Sequence, residues 1–255
     1  MIIDDILIQS VCELAVEAGK AILNIYNSGN KIHVSLKKDH SPLTIADKTA
    51  HDIIADGLEK INPSIPILSE EGADIPYEIR QNWEYFWCVD PLDGTKEFIH
   101  RTDEFTVNIA LIHRQKTILG IIYVPVFDTV YYGSAITGSY KRKDADSWQK
   151  LQVHDTATEW TAIGSRSHAS EEEKEVLSKY PVTHTIAAGS SLKFCRIAEG
   201  EAQIYYRHGP TMEWDTAAGQ AIAENAGAIM TMPDSAPFLY NKPSLLNSGF
   251  VCKVR

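Results

Sequence analysis

Long hydrophobic runs are missing from the 255-residue chain: the longest, around Ile118 to Val126, falls well short of the roughly 20 residues a membrane helix needs. Basic runs are missing too. Lys and Arg number 24 against 34 Asp and Glu, a formal net charge of -10, and no stretch of like charge is long enough to form a tail or arm. That balance argues against a nucleic-acid polymer or an anionic membrane as a partner held by bulk charge. A phosphate-bearing small molecule stays open, provided positive charge is supplied locally by a metal or a few placed Arg and Lys residues. Cysteine is sparse. Cys12, Cys88, Cys195 and Cys252 include no close pair, so neither a CxxC zinc site nor a disulfide framework is indicated, and buried free thiols in a reducing compartment are expected. The first residues, "MIIDDILIQSV", carry acids where a signal peptide carries bases. The expectation is a cytoplasmic protein, with peripheral attachment to the inner membrane, and the choice of monomer or homodimer, left open.

What is present is a core: 44% of the residues are apolar, enough for one large or two small domains. From Asp4 to about Ser28, Leu7, Val11, Leu14, Ala18, Ile22 and Ile25 recur at helical spacing, and a second amphipathic helix is predicted from about Ile45 to Ile61. Short strands are predicted at Ile65 to Leu68 and in "YFWCVD", ending at Asp90. Strands in series follow, "FTVNIALIH", "TILGIIYVPV", "TVYYGSA" and "GSYKRK", which imply an antiparallel sheet. Beyond about Gln149 the pattern alternates, with strands near 161–165, 183–188, 202–205 and 229 and helices near 170–179, 191–199 and 215–225. That is an α/β half with a mixed sheet. The expected division is an α+β subdomain, 1–148, and an α/β subdomain, 149–255, joined through "KRKDADSWQK", which reads as a surface crossing or a hairpin tip.

Three acidic clusters stand at junctions between elements: Glu70-Glu71 after a strand, Asp90 and Asp93 in "CVDPLDGTKEF", and Asp215 opening "WDTAAGQAIAENAG". Each alone has an ordinary reading: a solvated loop for Glu70-Glu71, a turn for Asp90-Pro91, a helix N-cap for Asp215. Together, carboxylates without compensating bases repel one another unless a cation sits among them. Oxygen ligands without a His or Cys set point to a hard ion, magnesium before manganese, and so to phosphoryl chemistry. Pro91 restricts the backbone after Asp90 and Gly94 permits a turn that a Cβ would obstruct, so both aspartates and the Leu92 carbonyl are expected to point the same way. Gly94 and Thr95 can then offer N–H groups to a phosphate. The spacing D-x-x-D is wrong for a phosphatase with an aspartyl nucleophile, which needs D-x-D.

"SEEG" with Glu70, "DPLDGTKEF" and "WDTAAG" with Asp215 resemble, in order and spacing, the three motifs of the inositol monophosphatase superfamily of magnesium-dependent, lithium-sensitive phosphatases. "SPLTIAD", "DGTKEF", "GSRSH" and "GSSLKFCRIAEGEAQIYYR" further resemble its 3'(2'),5'-bisphosphate nucleotidase branch. The resemblance implies a layered αβαβα sandwich and two or three Mg2+ ions held by Glu70, Asp90, the Leu92 carbonyl, Asp93 and Asp215. It also implies attack by a metal-activated water without a covalent intermediate, with Asp47, Glu70 and Thr95 as the catalytic groups and Thr95 paired with Asp47. Asp47 otherwise reads as an exposed acid in a first helical turn. The implied substrate contacts are Glu70, Leu92, Asp93, Gly94, Thr95, Gly189, Ser190, Ser191, Arg207 and Asp215, although "GSS" would look the same as a plain helix cap. Arg207 stands where inositol phosphatases typically carry a glutamate, and its fork suits a second phosphate. The branch usually reads Tyr-Pro-Arg where this chain has Tyr205-Tyr206-Arg207. Arg166, His168 and Lys193 are further candidates for the phosphate that stays behind, or surface residues. The expected function is removal of the 3'-phosphate from adenosine 3',5'-bisphosphate, linked to sulfur assimilation. The alternatives are an inositol monophosphatase and a non-catalytic nucleotide-binding sensor.

Overall fold

A computed structural model of the chain describes residues 3–28, 34–36, 42–144, 146–165 and 171–255. Helix α1 (Asp5–Tyr26) is followed by a two-strand ribbon, β1 (Val34–Leu36) and β2 (Pro42–Thr44), and by helix α2 (Ile45–Ile61). Strand β3 (Ile67–Ser69), the one-turn helix α3 (Tyr77–Arg80) and strand β4 (Tyr85–Asp93) lead to helix α4 (Thr95–His100). The serial strands are β5 (Thr106–His113), β6 (Lys116–Val124), β7 (Thr129–Ser134), β8 (Gly138–Lys143) and β9 (Gln149–Lys150). The alternating half comprises β10 (Trp160–Gly164), α5 (Glu171–Leu177), β11 (Val182–Ala187), α6 (Leu192–Ala198) and β12 (Ile204–Arg207). It ends with β13 (Thr211–Met212), α7 (Glu213–Asn225), β14 (Ile229–Thr231), β15 (Leu246–Asn247) and β16 (Phe250–Lys253).

Seven strands in the order β3-β4-β5-β6-β7-β8-β9 form the large sheet, antiparallel except for β3, which runs parallel to β4 across the α3 crossover. "KRKDADSWQK" is a hairpin tip rather than a crossing: Tyr140 of β8 pairs with Lys150 of β9. The small sheet has the order β11-β10-β12-β16-β14 and is mixed, with β16 antiparallel to both neighbours.

Side chains alternate across the large sheet, and both of its faces are apolar because both are covered. Trp87, Val89, Val107 and Ile109 pack with the apolar stripes of α1 and α2. Phe86, Cys88, Ala110 and Ile112 pack on the other side with α6 and α7. The outer face of the small sheet, with Ile204, Tyr206 and Val251, receives Val176 and Leu177 of α5. The layers are therefore α1/α2, large sheet, α6/α7, small sheet and α5, the expected αβαβα sandwich. Helix α7 lies between two sheets, which explains the small residues of "TAAGQAIA". Beneath it, a Cβ at Gly120 of β6 would collide with the Ala218 carbonyl, and one at Gly133 of β7 would lie 2.5 Å from the Ile222 Cα. All four cysteines are buried and free. Among the described residues no helix is long and apolar enough to cross a membrane.

Candidate active site

The strand ending in "CVDPLD" does not stop at Asp90. Strand β4 runs on to Asp93 through a bulge: Asp90 pairs with Asn108 and Asp93 with Thr106, so β4 holds one residue more than β5 over this span. Pro91 sits inside the bulge, where a missing N–H costs no ladder bond. Asp90 is 1% exposed, and its Oδ1 accepts the Leu92 N–H at 3.1 Å. Gly94 then takes the left-handed conformation, φ 90°, and turns the chain into α4.

Helix α2 supplies Asp47 from the opposite side. Asp47 closes a capping box, with Oδ2 accepting the Thr44 N–H at 2.7 Å and the Thr44 hydroxyl at 2.6 Å. It is 2% exposed, which overturns the reading of an exposed first-turn acid. The Thr95 hydroxyl lies 3.2 Å from Asp47 Oδ1 and 3.3 Å from the Leu92 carbonyl, and its single hydrogen serves one acceptor at a time.

Glu70 is tethered beside β4 by its N–H, which donates to the Val89 carbonyl at 3.1 Å, and its side chain hydrogen-bonds with Asp90. It is no freely solvated loop acid. Asp215 is not an N-cap either. It occupies the third position of α7, where Oδ2 accepts the N–H of Met212, the capping residue, at 2.8 Å. Ser191 precedes α6 without capping it. Its Oγ lies 2.6 Å from Asp93 Oδ2 and 2.9 Å from the Asp215 carbonyl, and accepts from Asn108 Nδ2 at 2.8 Å. Asn108 was invisible as a site residue in the sequence reading. The signal was there: an amide alone among apolar neighbours in "FTVNIALIH".

Asp93 and Asp215 line a cleft of about 170 Å3 together with Glu97, Ser190, Lys193 and Arg207. Lys193 is 5% exposed rather than a surface lysine, and Nζ donates to the Ser190 carbonyl at 2.7 Å and the Ala188 carbonyl at 3.2 Å. Burial lowers its pKa to about 8, against the pull of Asp93. Arg207 reaches the cleft with Tyr206 in place of the usual proline, and its Nη1 donates to Ser165 Oγ at 3.0 Å. Ser190 is left-handed, φ 44°, and its buried Oγ has no hydrogen-bond partner among the described residues. The Gly189 N–H is already taken by Glu104 Oε2 at 2.5 Å. Glu70 lines a neighbouring, mostly apolar cavity of about 400 Å3 with Met212 and Trp214. Arg166 and His168 lie outside the described residues.

The electrostatics of the acids are those of a site built for a cation. Burial pushes Asp90 well above the usual carboxylate range, and Glu70, Asp93 and Asp215 push it further. Asp215 is raised to about 8 by burial and by Asp93, against the Met212 N–H, which lowers it. Among the described residues no three acidic, His or Cys side chains already meet at one metal-sized point. The donor chemistry nonetheless fits a hard divalent ion: oxygen groups only, mutually repelling, with the Leu92 carbonyl beside them.

A sandwich of this layering, with carboxylates from β4 and α7 facing one cleft, defines a class, and the sequence profile of the Inositol monophosphatase family matches residues 5–251. The chain belongs to that family. It is 48% identical over 246 residues to the 3'(2'),5'-bisphosphate nucleotidase CysQ of Escherichia coli (strain K12), covering 96% of this chain and 98% of that one. It is 36% identical over 253 residues to the protein of the same description from Haemophilus influenzae, covering 96% and 91%. Among solved structures it is similar to CysQ from Bacteroides thetaiotaomicron, described as a bacterial member of the inositol monophosphatase family, with TM-score 0.84, 39% identity and 96% of each chain covered.

Proposed function

We propose that this chain is a magnesium-dependent phosphatase that removes the 3'-phosphate of adenosine 3',5'-bisphosphate, giving AMP and phosphate in cytoplasmic sulfur assimilation. One observation carries the reading: a single cleft is lined both by Asp93 and Asp215 and by Lys193 and Arg207. The acids suit a phosphate approached through a cation, and the bases suit a second phosphate that stays on the product. The relatives' description as 3'(2'),5'-bisphosphate nucleotidases supports the same substrate.

Glu70, Asp90, the Leu92 carbonyl, Asp93 and Asp215 would hold two or three magnesium ions. Magnesium bound there lowers the pKa of water and screens the phosphate charge. The chain's own groups handle the proton. Asp47 Oδ2 is committed to Thr44, which leaves Oδ1 facing the Thr95 hydroxyl. Thr95 Oγ1 takes a proton from the attacking water and passes its own to Asp47 Oδ1. The water oxygen bonds to phosphorus, the bond from phosphorus to the ribose 3'-oxygen breaks, and that oxygen takes a proton from solvent water to become the hydroxyl of AMP, while Asp47 returns its proton to solvent. The Ser190 hydroxyl, which has no hydrogen-bond partner among the described residues and belongs to a residue lining the cleft, suits a ribose hydroxyl.

The test is phosphate release with magnesium from adenosine 3',5'-bisphosphate and from inositol 1-phosphate at equal concentration. A large preference for the nucleotide is expected, reduced about 10- to 100-fold in kcat/KM by Arg207→Ala, because a charged hydrogen-bond donor to the second phosphate is removed. A preference for inositol 1-phosphate overturns the substrate reading and keeps the carboxylate site.

A further inference from the structure

Asn108 stands directly opposite Asp90 in the β4/β5 register, yet its side chain serves Asp93, because the bulge swings Asp93 back toward it. The amide is 1% exposed and every bond it makes is accounted for. Its Oδ1 accepts the Thr106 hydroxyl at 3.0 Å, which leaves the two Nδ2 hydrogens for Asp93 Oδ2 at 3.3 Å and Ser191 Oγ at 2.8 Å. Ser191, also 1% exposed, accepts from Asn108 and directs its own hydrogen to Asp93 Oδ2 at 2.6 Å or to the Asp215 carbonyl at 2.9 Å. Asn108, joined by Ser191 when its hydrogen turns that way, therefore holds one oxygen of Asp93. Its Oδ1 has no hydrogen bond among the described residues, in a residue that lines the cleft.

We propose that Asn108 and Ser191 are positioning residues: they hold Asp93 Oδ2, present Oδ1 alone to a cation, and tie the end of β4 to the first turn of α7 that carries Asp215. This rests on the reading of Asp93 as a metal ligand. Partners that hold a ligating carboxylate typically matter about 10- to 100-fold in metal affinity. A residue of this kind has a signature that a packing residue lacks, since it changes metal binding without any substrate present.

The experiment measures Mg2+ binding by calorimetry on the substrate-free protein, with melting temperatures taken without metal, for wild type, Asn108→Val, Ser191→Ala and Asp93→Asn. Asn108→Val removes both donors and suits a buried strand position; Ser191→Ala removes one hydroxyl and carries the test alone if the first variant does not fold. The expected result is Mg2+ affinity weakened about 10- to 100-fold in both. Wild-type affinity in both, with Asp93→Asn impaired, overturns the positioning role and leaves the ligand reading intact. Wild-type affinity in Asp93→Asn overturns both. Variants that melt lower without metal but bind Mg2+ like wild type show a structural role only and overturn the proposal.

Discussion

Gly133→Ala tests whether the packing of α7 between the two sheets controls the site. The added Cβ would lie 2.5 Å from the Ile222 Cα, 2.6 Å from the Ala221 carbonyl oxygen and 2.8 Å from Ser139 Oγ. Ordinary contact begins near 3.4 Å, so α7 must retreat by roughly 1 Å, since a close-packed interior offers no slack. The neighbouring bond from Ser139 Oγ to the Ile222 carbonyl, 2.7 Å and buried, is strained by the same movement. Overpacking of this kind costs about 1–3 kcal/mol, and a weakened buried hydrogen bond about 1 kcal/mol more. At about 2–4 °C per kcal/mol for a chain of this size, the melting temperature should fall by roughly 4–16 °C. The same helix carries Asp215, and a displacement near 1 Å can cost as much as about 100-fold in rate. Asp215 lies two turns from the collision, so a loss of about tenfold is expected. Thermal melting and phosphate release measured on one preparation decide the matter. A variant with the melting temperature and turnover of the parent would refute the idea that the α7 contact sets the site.

Three further outcomes follow from buried charge. Glu199, with a side chain 4% exposed, accepts from Lys141 Nζ at 2.6 Å, Arg196 Nη1 at 2.9 Å and the Tyr131 hydroxyl at 3.1 Å, so Glu199→Ala should lower unfolding free energy in urea by about 3 kcal/mol by taking the acceptor from Lys141 and Tyr131 and leaving Arg196 with Glu201 alone; a change under about 1 kcal/mol would contradict it. Burial holds Lys193 at about 8, below its usual 10.5, so the unfolded chain binds the proton more tightly between those values. Relative to Lys193→Met, the wild type is therefore penalised fully below pH 8 and gains stability as pH rises toward 10.5. If Lys193 holds a phosphate, KM for the nucleotide should rise above pH 8 in wild type and not in Lys193→Arg; parallel profiles would remove that role.

The serial strands were legible because β5 to β8 combine apolar runs with short polar breaks, and the carboxylates because their motifs sit at strand and helix ends. Three features were not. Strand β16, "FVCK", joins β12 to β14 in the small sheet, but four residues near the end of a chain carry no periodicity to mark them. The bulge that carries β4 past Asp90 to Asp93 depends on the register of β5, which is a property of two strands and not of one. The roles of Asp47, Asp215 and Ser191 at helix starts were ambiguous for a physical reason. Capping uses the residue types that ligate metals and bind phosphates, and only burial and partners separate the uses: Asp47 and Asp215 each accept the N–H of the residue that caps their helix, while Ser191 caps nothing.

The most direct test of the account is the identity of the nucleoside monophosphate formed from adenosine 3',5'-bisphosphate with magnesium, separated by chromatography and quantified against released phosphate. The account predicts adenosine 5'-monophosphate and one equivalent of phosphate, because the proposed function assigns the 5'-phosphate to Lys193 and Arg207 and the 3'-phosphate to the carboxylates that line the same cleft. Adenosine 3'-monophosphate as the product, or no release while an inositol phosphate is hydrolysed, would contradict it.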